Sequence, residues 1–157
     1  MLYVNCFHVD TNVLSDPGIL RNLLQRCRNS ECAIKVSPFA LAEFINEYRK
    51  GVERLKQALY IPDDPLYVLL NGMAEGLIDI FVIKDEKLGD FVNYINELRS
   101  EVTWIHSMDI LILALALVDD ECNGLVTLDS GITESRRIKE IFRKAKRHLY
   151  NEELKRH

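Results

Sequence analysis

The chain has 157 residues, 48 % apolar and 28 % charged, with a formal net charge of −4. That balance suits one globular domain with a proper core and excludes a disordered or fibrous chain. The longest apolar run is far short of the roughly 20 residues of a membrane helix, and "MLYVNCFHVD" has neither a basic n-region nor a small-residue cleavage site, so a soluble cytoplasmic protein is expected.

"LYVNCFHV", residues 2–9, is rich in strand formers and reads as a first strand ending at Asp10. Asp16-Pro17 then gives an N-cap followed by proline at the first helical position, and Ile19, Leu23, Leu24 and Cys27 share one helical face. "CAIKV" is a second strand. Ser37-Pro38 repeats the cap-plus-proline signal and opens a helix through "FALAEFINEYRK", with Phe39, Leu41, Ala42 and Ile45 as expected buried positions. Residues 52–60 read as helix, "IPDDP" breaks the pattern, "LYVLLNGMAEGL" resumes a helix and "IDIFVI" is a third strand. Leu88, Phe91, Val92, Ile95 and Leu98 mark an amphipathic helix. "SMDILILALALV" follows, an apolar helix with Asp109 near its head, capped by Ser107.

"GLVTL" is a fourth strand ending at Asp129, and the remainder reads mostly as helix. Residues 1–135 therefore form the main body, and residues 136–157 a basic helical tail of the same domain. The tail holds nine Lys or Arg against three acids, which leaves −10 on the body. A basic tail on an acidic body suits a polyanionic partner, and Arg136, Arg137, Lys139 and Arg143 are the candidates for phosphate contacts. Strands alternating with helices predict an α/β fold, a three-layer α/β/α sandwich around a mostly parallel sheet.

In such sheets functional groups gather beyond the carboxyl ends of the strands. Asp10 and Asp129 end strands there, Glu43 lies roughly two turns into the helix after the second strand, and Asp109 lies in the first turn of its helix. Four converging carboxylates repel one another unless a cation compensates. Oxygen donors without Cys or His point to Mg²⁺ or Mn²⁺ rather than zinc. With a phosphodiester present, such a site suits hydrolysis by a metal-activated water.

"HVDTNVL", "SPFALAEF", "SMDILILALAL" and "GLVTLDSG" resemble, in order, the motifs of the PIN-domain ribonucleases over residues 1 to about 132. The matching positions are Asp10 with Thr11 and Asn12, then Glu43, Asp109, and Thr127 with Asp129. The resemblance implies an α/β/α sandwich and a Mg²⁺- or Mn²⁺-dependent endoribonuclease acting on single-stranded or loop RNA. Asp10, Glu43, Asp109 and Asp129 would hold the metal, with Thr11, Asn12 and Thr127 supporting them. Small members of that family are VapC-like toxins that form homodimers and are held inactive by an antitoxin protein. Two departures stand out: Gly131 occupies a position that often carries a further acid, and the chain ends in a basic helical tail where a fifth strand is usual. A non-catalytic PIN-fold module that binds RNA or protein is the alternative. A phosphatase is disfavoured, because Asn12 stands where an Asp-x-Asp nucleophile loop needs its second acid.

The remaining polar residues have plainer readings. Cys6, Cys27, Cys32 and Cys122 show no zinc-ligand spacing and are expected to be buried free thiols, a Cys27–Cys32 disulfide being the exception in a hyperthermophile. His8 and His106 are expected to be packed or surface histidines, although strand alternation puts His8 on the Asp10 face. Trp104 is expected in the core, with base stacking beside His106 as the alternative. Asp119 and Asp120 are expected to start an exposed loop.

Overall fold

The computed structural model describes residues 5–55 and 64–156, and side chains for 5–51 and 64–156. Five strands form one sheet: β1 (Asn5–Val9), β2 (Cys32–Val36), β3 (Ile78–Ile80), β4 (Gly124–Val126) and β5 (His148–Tyr150), in the order β3-β2-β1-β4-β5. Every neighbouring pair is parallel. The chain steps from β1 outward to β3, then crosses back to β4 beside β1. Right-handed crossovers in opposite directions place helices on both faces, which is the expected α/β/α sandwich. The order reverses between β1 and β4, and a crevice at such a switch point is where open α/β sheets bind ligands.

The helices are α1 (Thr11–Leu14), α2 (Pro17–Ser30), α3 (Pro38–Leu55), α4 (Pro65–Ala74), α5 (Leu88–Glu101), α6 (Ser107–Val118), α7 (Ser130–Thr133) and α8 (Arg136–Lys144). Local signals set several starts. Asp16 accepts from the Ile19 N–H ahead of α2, Ser37 from the Ala40 N–H ahead of α3, and Asp64 from the Leu66 N–H ahead of α4, each supplying an acceptor to an orphan helix donor. The helix expected over residues 52–60 falls mostly outside the described residues.

α6 is apolar all round, as a helix enclosed by protein should be. Ile112 to Val118 are all buried, and the helix packs against α5, α3 and β4. Its first helical residue is Ser107, and His106 holds the cap position without a side-chain cap bond. Among the described side chains of α3 the buried positions are Ala40 and Phe44, whereas Ala42 and Ile45 face solvent. With apolar residues on two sides of the helix, the pattern did not single out the covered face. Leu98 of α5 is enclosed, but Leu88 and Val92 remain half exposed.

The tail departs from the sequence reading. Among its described residues it is helical only over α8, turns at Lys146 with positive φ, and adds β5 as the edge strand beside β4. The fifth strand that seemed missing is therefore present. Gly124 makes the pairing possible, because a Cβ there would lie 1.8 Å from the His148 carbonyl oxygen. A three-residue strand behind a strongly basic helix carries too little pattern to be legible.

The cysteines are a second correction. Cys6 pairs with Cys122, and Cys27 with Cys32, leaving no free thiol. Spacing could not show the first pair: 116 residues separate the partners, and only the β1–β4 neighbourhood brings them together. The second joins the last turn of α2 to the first residue of β2, across Glu31 in the left-handed region. On chain-entropy grounds, replacing Cys6 and Cys122 by alanine should cost about 5 kcal/mol of stability, and replacing Cys27 and Cys32 about 2 kcal/mol, because the longer loop gains more freedom when unfolded. Denaturant titration of the two double variants measures both values.

Candidate metal centre

Val9 and Val126 are register partners, so the chain leaves β1 and β4 side by side at the same edge. Asp10 continues β1 and donates its N–H to the Val126 carbonyl at 2.9 Å. Its carboxylate caps α1, accepting from the Thr11 N–H at 2.8 Å and from the Thr127 hydroxyl at 2.8 Å. Thr127 is buried and serves as a junction. Besides donating to Asp10, its oxygen accepts from the Asp129 N–H at 3.1 Å and faces the Asn12 amide at 3.4 Å. Asn12 in turn accepts from the Leu128 N–H at 3.2 Å. The Thr11 hydroxyl donates to Glu43 at 2.5 Å. Thr11, Asn12 and Thr127 therefore brace the acids through hydrogen bonds.

Asp10, Glu43 and Asp109 each direct a carboxylate oxygen so that the three atoms lie within 4.8 Å of one another, a set that could hold a metal ion. They come from the end of β1, from α3 and from the first turn of α6. Asp129 stands outside that set and caps α7, accepting from the Gly131 N–H at 2.9 Å. It is still close enough to act electrostatically on Asp109. Glu47 accepts from Ser15 at 3.1 Å.

Burial pushes the Asp10 carboxyl up from 3.8 to about 6; the Thr127 and Thr11 hydrogen bonds pull it down, and the Asp109 and Glu43 charges raise it further. Asp109 is raised too, first by burial and then by Glu43 and Asp129, while His106 opposes. Asp109 occupies the third position of α6, where the helix dipole favours an anion. The donor set is all carboxylate oxygen, and its members destabilise one another's charged forms. Both features fit a hard divalent cation.

The basic candidates sit apart from this cluster, on α8. Arg137 pairs with Glu101 at 2.5 Å and Arg143 with Glu140 at 3.1 Å. Arg136, Lys139 and Arg143 line an open depression together with Glu134 and Glu140.

Two expectations are reversed. Asp119 is buried rather than exposed, and accepts a hydrogen bond from His8 Nε2 at 2.8 Å. Burial alone would raise its carboxyl, but the His8 hydrogen bond and charge hold it below the usual value. No spacing rule links residues 111 positions apart; the only hint was a histidine between apolar residues of the first strand. His8, Asp119 and Cys122 are also close enough to share an ion, but the Cys122 sulfur is committed to Cys6. Trp104 is the second reversal, 55 % exposed rather than in the core.

The fold and site together define an α/β/α domain with a carboxylate cluster at the sheet's switch point. No family model and no curated protein matches the sequence. Solved structures do share the fold. A chain of VapBC2 from Rickettsia felis, bound to a DNA fragment from its promoter, aligns with a TM-score of 0.54 and 19 % identity over 93 % of this chain and 98 % of that one. A chain of DNA-bound VapBC from Salmonella typhimurium gives 0.54 and 17 % over 95 % and 99 %. Among the described residues, no helix is long and apolar enough to cross a membrane.

Two outcomes are expected of the metal-free protein. The folded state binds the Asp10 proton more tightly than the unfolded chain, so this stability is full below 3.8 and is lost as pH rises through about 6. Urea titrations in EDTA should show a loss from Asp10 of about 3 kcal/mol across that window, and that part of the pH dependence should be absent in Asp10→Asn. Thr127→Val keeps the shape but removes the junction hydroxyl, and should cost about 1–3 kcal/mol in the same assay.

Proposed function

We propose that this chain is a PIN-type endoribonuclease, dependent on Mg²⁺ or Mn²⁺, that hydrolyses RNA phosphodiester bonds. The observation that carries this reading is the convergence of Asp10, Glu43 and Asp109 at the switch point. The fold shared with VapBC structures supports it. The cation would be held by Asp10, Glu43 and Asp109, with Asp129 at the edge of the site. When bound, it supplies Lewis acidity toward a phosphodiester oxygen and makes water at the site more acidic. The chain's own residues hold the geometry. Thr127 and the Thr11 N–H orient Asp10, the Thr11 hydroxyl orients Glu43, and α6 presents Asp109 from a rigid, enclosed helix. No protein nucleophile is required. Arg136, Lys139 and Arg143 would track the RNA phosphates, and the cation would compete with the proton for the Asp10 carboxylate, so cation binding strengthens as pH rises through about 6.

The same reading makes the protein the toxin of a toxin–antitoxin pair, with an antitoxin protein as partner and a homodimer as the working form. Half-exposed Tyr67 and Leu70 on α4, and Leu88 and Val92 on α5, are apolar surface suited to such contacts. A cytoplasmic site of action is compatible with two disulfides in a hyperthermophile, whose intracellular proteins retain them.

Asp10→Asn should abolish Mn²⁺-dependent cleavage of single-stranded RNA while the circular dichroism spectrum stays that of the wild type. Full activity in that variant would overturn the mechanism. Gly131, where a further acid is often found, favours a second reading, a non-catalytic binding module. Calorimetry separates the two, since absence of Mn²⁺ binding at millimolar concentration leaves only the module.

A further inference from the structure

Trp104 is the chain's sole tryptophan. It lies in the short turn between α5 and α6, and 55 % of its surface is open to solvent. The turn is anchored on both sides: Val102 is enclosed and Ile105 packs on the core. An exposed indole held on a fixed turn keeps little conformational freedom to lose on binding, which favours it as a contact surface.

Its position relates it to the acid cluster. A Cβ added to Gly131 would lie 3.7 Å from the six-membered ring of Trp104 and 3.0 Å from Asp129 Oδ1. The ring thus borders the Asp129 loop, and the absence of a side chain at 131 leaves that space open. In sequence Trp104 is two residues from His106, whose backbone and charge act on Asp109. Just behind the turn, Glu101 pairs with Arg137, which ties the start of basic α8 to the same corner. The indole therefore adjoins the Asp129 loop, on a turn whose preceding helix is tied to α8.

We propose that Trp104 is a stacking platform for an unpaired nucleobase of the RNA strand whose phosphate is held at the acid cluster. This rests on the nuclease reading above and adds a base-binding subsite to it. A polyanion alone is served by cations; an exposed π-face beside a phosphate site suits a base, and stacking on an aromatic side chain tolerates any sequence. The base at Trp104 fixes the strand's position, and the adjoining backbone runs toward Arg136 and Lys139.

The sole tryptophan makes the contact directly observable. Wild-type protein is titrated with a short oligouridylate, with Ca²⁺ in place of Mg²⁺, and emission is recorded. An abasic ribose-phosphate chain of equal length is the control. The oligonucleotide should quench emission and the abasic chain should not. Trp104→Ala should weaken oligonucleotide binding by about tenfold or more, measured by anisotropy of a labelled strand, while Trp104→Phe should recover most of it. Equal quenching by the abasic chain, no quenching at all, or wild-type affinity in Trp104→Ala would overturn the proposal. Base-dependent quenching without any RNA cleavage in Mn²⁺ keeps the platform and removes the nuclease reading. Cleavage by Trp104→Ala at the wild-type kcat/KM removes the platform alone.

Discussion

The Thr127 hydroxyl joins the two halves of the site. β1 and β4 are neighbours only because the chain reverses its direction of travel across the sheet, and the crevice between their ends contains polar groups that need partners. Thr127 supplies them from one atom, donating to Asp10 and accepting from the Asp129 N–H, with the Asn12 amide beside it. Asp10 is nonetheless raised to about 6, so these bonds compensate only part of its burial. The remaining cost is carried by a framework that cannot relax, with fully enclosed Val9 and Val126 on either side.

That framework explains why so apolar a helix begins beside an acid. α6 gains its stability from burial against α5, α3 and β4, and its first turn emerges at the crevice. Asp109 is therefore placed by packing that has nothing to do with its charge. Its neighbours Glu43 and Asp129 raise it further, so the site is under electrostatic tension that a cation would relieve. The Cys6–Cys122 disulfide and the His8–Asp119 pair lie where β1 passes the end of α6 and the approach to β4. They tie these segments together through a covalent bond and a buried hydrogen bond.

Much of this was legible before the fold. Asp16-Pro17 and Ser37-Pro38 announced their helices because caps are local, and the strands ahead of Asp10 and Asp129 showed in the sequence, although β4 ends at Val126 and Asp129 caps α7 three residues on. The order of four acids along the chain indicated a shared edge, and three of them meet there. The cysteines were misread because sulfur pairing across 116 residues leaves no local trace. Asp119 and Trp104 exchanged their expected environments for the same reason. An acid after a helix and a tryptophan in a turn are each compatible with core or surface, and neighbours distant in sequence decide which.

The sequence by itself determined the alternation of helices and strands, the caps of α2 and α3, and that Asp10 follows the first strand and Asp109 opens α6, because each is a matter of a few adjacent residues. Tertiary structure alone decided that β5 closes the sheet, that Cys6 reaches Cys122, that Asp129 caps α7 outside the close group of three, and that Trp104 faces solvent beside it. Those outcomes depend on which strands become neighbours and how helices settle on them. That is set by the packing of the whole core rather than by any stretch of the chain.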